Sequence, residues 1–220
     1  MKRRTRMTAL ETVVSNALDA AYCQVLGLGQ QEQKVAISAD SYVKNRGGQQ
    51  ENAINLLVRK HVVMAGVAGA ATSIGGFTWA PITYPTNIAC VIYLQLRLIA
   101  MIAHIRGWDV RRQEVKALCL ACLAGISAKE VGSVVALGVR CETMHSIIMS
   151  LPEKLLTDLV QSLRIRCVTR IGTSKFAICC KMMPAVGAIL SGCVDAYSTA
   201  DIATNARALF VENHFPKFTT

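Results

Sequence analysis

From His61 to Leu96 the chain runs for 36 residues without one Asp, Glu, Lys or Arg, and within that tract stand a Gly75-Gly76 pair and two prolines, Pro81 and Pro85. A soluble domain places a charge every few residues, so helices drawn from this stretch have to be enclosed by other helices or by lipid. Each proline removes a backbone donor and disfavours the helical region for the residue before it. Gly75, Gly76, Pro81 and Pro85 are therefore expected to form the turn of an apolar helical hairpin. Its outgoing limb reads VVMAGVAGAATSIGG, where Gly66 and Ala70, and Gly69 and Ser73, lie four apart and let two backbones approach closely. Its return limb is expected from about Thr86 to Arg106, roughly 30 Å of helix at 1.5 Å per residue.

Only 17% of the residues are charged while 52% are hydrophobic, and aromatics make up 5%. The surplus apolar weight sits in small and aliphatic side chains, which suit close-packed helices better than base-stacking platforms. The net charge of +10 is partly gathered in Lys2, Arg3, Arg4 and Arg6. That cluster favours an anionic membrane surface, and nucleic acid is the weaker partner because no helix carries a dense basic run. Glu11, Asn16 and Asp19 interrupt the apolar core that a signal peptide would need, so the chain is expected to remain in the cell. The nine cysteines lie mostly in apolar helical sequence and read as small hydrophobes of a reducing compartment. Cys119 and Cys122 form a C-x-x-C without a second pair or a nearby His, so no metal is expected.

Glycine and proline punctuation divides the chain into about eight helical segments, and no stretch alternates as a strand does. The expected fold is all-α: a single compact multi-helix bundle of about eight helices around the central apolar hairpin. Thr8 with Glu11 has capping-box spacing and opens a helix that stops near Gly27; a second runs from Glu32 to Arg46 and ends at Gly47-Gly48. Gly107 ends the return limb, Asp109 is placed to cap the next helix, Ser127 with Glu130 opens another, and Pro152 begins a basic amphipathic one. Residues 1–48 read as amphipathic helices packing on a core domain of residues 49–212, followed by a tail at 213–220.

Tyr93, Arg97 and His104 share one side of the return limb, a polar stripe that requires a partner. Arg97 and Asp195 are isolated charges in apolar helices, each costly to bury alone, and are expected to meet. The pair is either a structural pin or the centre of a head-group site with Gln95 and His104 beside it. Catalytic patterns are weak. His61, His104, His145 and His214 lack metallohydrolase spacing, no serine sits in a nucleophile elbow, and no phosphate-loop pattern is present. No cofactor is expected.

Three segments in this order, GGFTWAPITYPTNI, LQLRLIAMIAHIRGWDV and MMPAVGAILSGCVDAYSTADIATNARALF, resemble the EcsC family from about Ala53 to Phe210. The resemblance implies a helical, bacterial protein and attaches no reaction to it. Its polar landmarks correspond here to Gln95, Arg97, Asp109, Asp195 and Thr199, and no cysteine is among them. The function expected is that of a non-enzymatic protein, cytoplasmic and peripheral or partly inserted at the inner face of an anionic membrane. The alternative is a soluble helical domain that takes a lipid or a protein partner in a groove beside the hairpin, with a hydrolase a distant third.

Overall fold

The computed structural model describes residues 9–27, 30–73, 76–125, 153–172 and 186–210. The fold is all-α: seven helices and no strand among the described residues. They are α1 (Ala9–Leu26), α2 (Gln30–Lys44), α3 (Gln50–Ser73), α4 (Gly76–Ile105), α5 (Gln113–Leu123), α6 (Glu153–Gly172) and α7 (Val186–Leu209). The expected elements around Ser127 and Glu130 lie outside the described residues, as do the basic cluster Lys2, Arg3, Arg4 and Arg6, and Gly75.

Helix ends fall where the glycines are. Gly47 and Gly48 follow α2 at φ 63 and 84, and Gly107 follows α4 at φ 88, left-handed conformations that only glycine adopts without strain. Trp108 N–H then donates back to the Ala103 carbonyl at 3.0 Å and Gly107 N–H to that of His104 at 2.9 Å, closing the last turn of α4. Asp109 does not cap α5, whose N-cap residue is Arg112. Its carboxylate instead accepts the backbone N–H of Arg111 at 3.0 Å and Arg111 Nε at 3.1 Å, two residues on, which shapes the turn between α4 and α5.

The proline expectation is corrected. Pro81 and Pro85 lie within α4, which begins at Gly76 and runs unbroken to Ile105. Each proline forfeits one helical hydrogen bond, at a cost of about 3 kcal/mol.

α3 and α4 pack against each other, and α4 has the most neighbours among the described helices. α4 touches α1, α2, α3, α5 and α7, while α6 lies outside, against α1 and α5. From Leu94 to Ala103 every α4 side chain except Arg97 is buried, which accounts for the apolar run on all sides of that helix. The buried segment of α5, with Val115, Leu118, Cys119 and Cys122, fills the space beneath it, and Trp108 meets Phe210 edge-on at 5.5 Å and 77° between rings. α3 behaves differently. Of the two helices long and apolar enough to cross a membrane, the stretch in α4 is 72% buried and that in α3 only 33%.

Candidate functional site

The most extensive packing in the fold joins α3 to α7. The two run antiparallel, since Asn55 accepts from Arg207 Nη2 at 2.8 Å while Gly66 lies against Gly192 and Ala196, and Gly69 against Ser191 and Asp195. Glycine makes this approach possible. A Cβ on Gly192 would lie 2.7 Å from the Gly66 carbonyl oxygen, and one on Gly69 would lie 2.9 Å from that of Ser191 and strike the Asp195 carboxylate. The four-residue spacing of small residues in VVMAGVAGAA is thus spent on the last helix.

Polar groups of α4 and α7 meet beside this crossing. Asn87 Nδ2 donates to Asp195 Oδ2 at 3.0 Å, and Gln95 Nε2 reaches Ser198 Oγ at 3.2 Å and Thr199 Oγ1 at 3.3 Å. Thr199 also donates to the backbone carbonyl of Asp195 at 2.8 Å. Asn87, Gln95, Ser191 and Thr199 are all buried. Asn87 Oδ1 and Ser191 Oγ have no hydrogen-bond partner among the described residues. Asn87 was not signalled by sequence reasoning, and Ser191 was read only as a small close-packing residue with Gly187; the spacing of eight between Asn87 and Gln95 was the available clue.

Arg97 and Asp195 do not meet. Residues 95 and 97 stand about 200° apart around a helix, so the face of α4 that gives Gln95 to α7 turns Arg97 the other way. The guanidinium donates from Nη1 to the Tyr93 hydroxyl at 3.1 Å and from Nη2 to Ser38 Oγ of α2 at 3.2 Å. One helical stretch lower, His104 Nε2 bonds the Asp40 carboxylate of α2 at 3.0 Å. The stripe of Tyr93, Arg97 and His104 therefore has α2 as its partner. Of the expected group, Gln95, Thr199 and Asp195 assemble on one side of α4, and Arg97 and His104 on the other.

His61 of α3 is buried beside this second group. Its Nδ1 donates to the Leu57 carbonyl at 2.9 Å, leaving Nε2 without the proton in the neutral ring. Burial holds its pKa below 6.5, and the positive charges of Arg97 and Lys60 push the same way against that hydrogen bond. Lys60 itself stands over the Tyr42 ring of α2, 5.4 Å from its centre. The cysteines carry no such chemistry. Cys119 and Cys122 are fully buried; burial pushes the Cys119 thiol up to about 12 and that of Cys122 well above its ordinary value. Among the described residues no group of three His, Cys, Asp or Glu could hold a metal.

Outside the crossing, α3 exposes Val63, Met64 and Val67, and α7 exposes Ile189, Leu190 and Tyr197. Measured from the Gly66–Gly192 contact line, these residues are rotated in the same sense on two antiparallel helices, so they face the same side of the pair. None is charged, nor is any described neighbour between Lys60 and Ser73 on α3 or from Val186 to Val194 on α7.

An all-α bundle with its third and last helices crossing on glycine, beside a charge-free face, defines a class of glycine-packed helical proteins with no fold-given reaction. Within that class the chain belongs to the EcsC protein family, whose family model matches residues 30–212 and so takes in α2 through α7. No curated protein and no solved structure matches it.

Proposed function

We propose that this chain is a peripheral membrane protein that seats the α3–α7 face on an anionic bilayer, with its charged helices turned to water. The observation that carries this reading is the exposure of Val63 (63%), Val67 (62%) and Ile189 (69%) on one uncharged side of two packed helices, with Tyr197 (77%) at its edge, one turn from the exposed Asp201. Scattered exposed apolar residues are ordinary, but a contiguous set of six large ones marks a contact surface. The charge pattern favours lipid as the occupant. Arg59 and Lys60 are exposed at the lower edge of the face, directly where it ends, and the whole chain carries +10. Cations rimming an apolar face suit acyl chains under anionic head groups, each contributing about 1 kcal/mol near such a surface. Transfer of the six half-exposed side chains adds roughly 1 kcal/mol apiece. Such a protein rests in one leaflet and does not span it, and a bacterial cytoplasmic face supplies both anionic lipid and a reducing compartment for the cysteines.

Flotation with vesicles tests this. The wild-type protein is expected to float with phosphatidylglycerol-containing vesicles and to be released progressively by salt. Val63→Asp with Ile189→Asp, both at exposed positions that the fold does not need, is expected to reduce recovery at least tenfold while leaving the circular-dichroism melt unchanged. Equal flotation of the double variant would overturn the reading.

A further inference from the structure

Immediately below the apolar face, α3 and α4 carry two cations, Lys60 and Arg97, that meet no carboxylate among the described residues. Arg106, Arg111, Arg112 and Arg164 each pair with a carboxylate, those of Glu51, Asp109, Glu114 and Asp19. Arg97 and Lys60 do not. Arg97 is half-buried in the most apolar helix, where a carboxylate partner would be worth most, yet among the described residues its guanidinium meets only the neutral hydroxyls of Tyr93 and Ser38. Among the described residues, Lys60 meets only the face of the Tyr42 ring.

The supporting residues set the spacing. Ser38 and Tyr42 are four apart on α2, neighbours on one face with Cβ atoms about 5–6 Å apart, so the cations that they hold arrive on adjacent turns. His61 lies within electrostatic reach of both and is kept neutral. The Asp40 carboxylate, between Ser38 and Tyr42 in sequence, is directed to His104. The hydroxyls of Ser38 and Tyr93 accept from Arg97, and neither proton is donated to any described group. What remains available is a set of donors: the Lys60 ammonium, the unused guanidinium N–H groups and two hydroxyl protons. Donors with two positive charges and no acid suit a doubly charged oxyanion.

We infer that Lys60 and Arg97, with Ser38 and Tyr93, form a binding site for a phosphomonoester dianion, and that on a membrane this dianion is the exposed phosphate of a lipid headgroup. The inference rests on the docking reading above for its lipid source, because the site lies at the level of Lys60, where the apolar face ends and head groups begin. A phosphodiester headgroup carries one charge and satisfies half of the site. Preference for monoester over diester is therefore the signature, and general attraction to negative charge does not produce it.

The experiment compares flotation with phosphatidylcholine vesicles containing phosphatidic acid against vesicles matched in surface charge with phosphatidylglycerol, alongside thermal melts in inorganic phosphate and in sulfate-free chloride of equal ionic strength. Wild-type protein is expected to bind phosphatidic acid vesicles about tenfold more tightly. Lys60→Gln, at an exposed position, and Arg97→Lys, which keeps the charge and loses the fork, are each expected to bring that ratio near one, while Arg111→Gln in the α4–α5 turn keeps it. If the protein binds neither vesicle but phosphate raises the melting temperature of wild type and not of Lys60→Gln, the site takes a soluble phosphate and only the docking reading has failed. Equal binding to both vesicles together with no phosphate-dependent melting shift overturns the site.

Discussion

Replacing Gly192 by alanine adds one methyl group at the closest approach of α3 and α7, and its effect follows from two opposing quantities. In an exposed helix the change stabilises by about 1 kcal/mol, because alanine is the better helix former. Here the new Cβ would stand 2.7 Å from the Gly66 carbonyl oxygen and 3.3 Å from Ala70 Cβ. The obstructing atom is backbone and cannot rotate away. Ordinary contact begins at 3.4 Å, so α3 must retreat by about 0.7 Å (3.4 minus 2.7) along the line where it packs most extensively. A gap of that size forfeits a quarter to a half of each dispersion contact, and overpacking of this kind costs about 1–3 kcal/mol. The net expectation is a loss of about 1 kcal/mol and at most about 2, or a melting temperature lower by roughly 2–4 °C at the central value in a chain of this length. Gly66→Ala is the internal control: its Cβ would lie 3.3 Å from the Gly192 carbonyl oxygen and 3.4 Å from Ala196 Cβ, so the helices need hardly move. Its propensity gain should leave the melt unchanged or slightly raised. Both variants are followed by circular dichroism at 222 nm and by urea titration. A Gly192→Ala protein that melts at or above wild type, or two variants that fall equally, would refute the claim that backbone contact sets the α3–α7 distance.

Two further outcomes are expected. Because the folded-state pKa of His61 lies below 6.5, the unfolded chain takes up its proton first, and stability should fall as pH drops through 6.5 toward the folded value; urea titrations from pH 7.5 to 5.5 should show a smaller fall for His61→Gln, and an equal fall would mean the ring is not desolvated. Native protein at pH 8 should be alkylated at the exposed Cys23, Cys90 and Cys193 while Cys119, Cys122 and Cys167 react only on unfolding, as peptide mapping by mass spectrometry would register. Comparable rates at all six would contradict the packing of α5.

Local sequence carried the helix ends at Gly47 and Gly107, because a left-handed residue after a helix is a one-residue property that glycine announces. It misled at Pro81 and Pro85 for the opposite reason. Proline's penalty is local, but whether it is accepted depends on what an open backbone would face, and that is decided by the surroundings of α4. The expected Arg97–Asp195 pair failed through azimuth. Both are lone charges in apolar helices, yet Gln95 already commits one face of α4 to α7 and so turns Arg97 toward α2. Asn87, which donates to Asp195, carries no charge and gave no signal of its own.

The charge-free tract, the small-residue spacing and the glycine stops determined that this would be an all-α protein with close-packed apolar helices, since periodicity, steric size and backbone freedom are written in the residues themselves. Which helix became the buried centre and which kept an apolar side outward was decided only by assembly. α3 and α4 draw on the same uncharged stretch, but α4 from Leu94 to Ala103 is buried all round except at Arg97, whereas α3 spends its glycines on α7 and leaves Val63, Met64 and Val67 uncovered. Burial is a relation between elements, and it exists only once neighbours have been chosen.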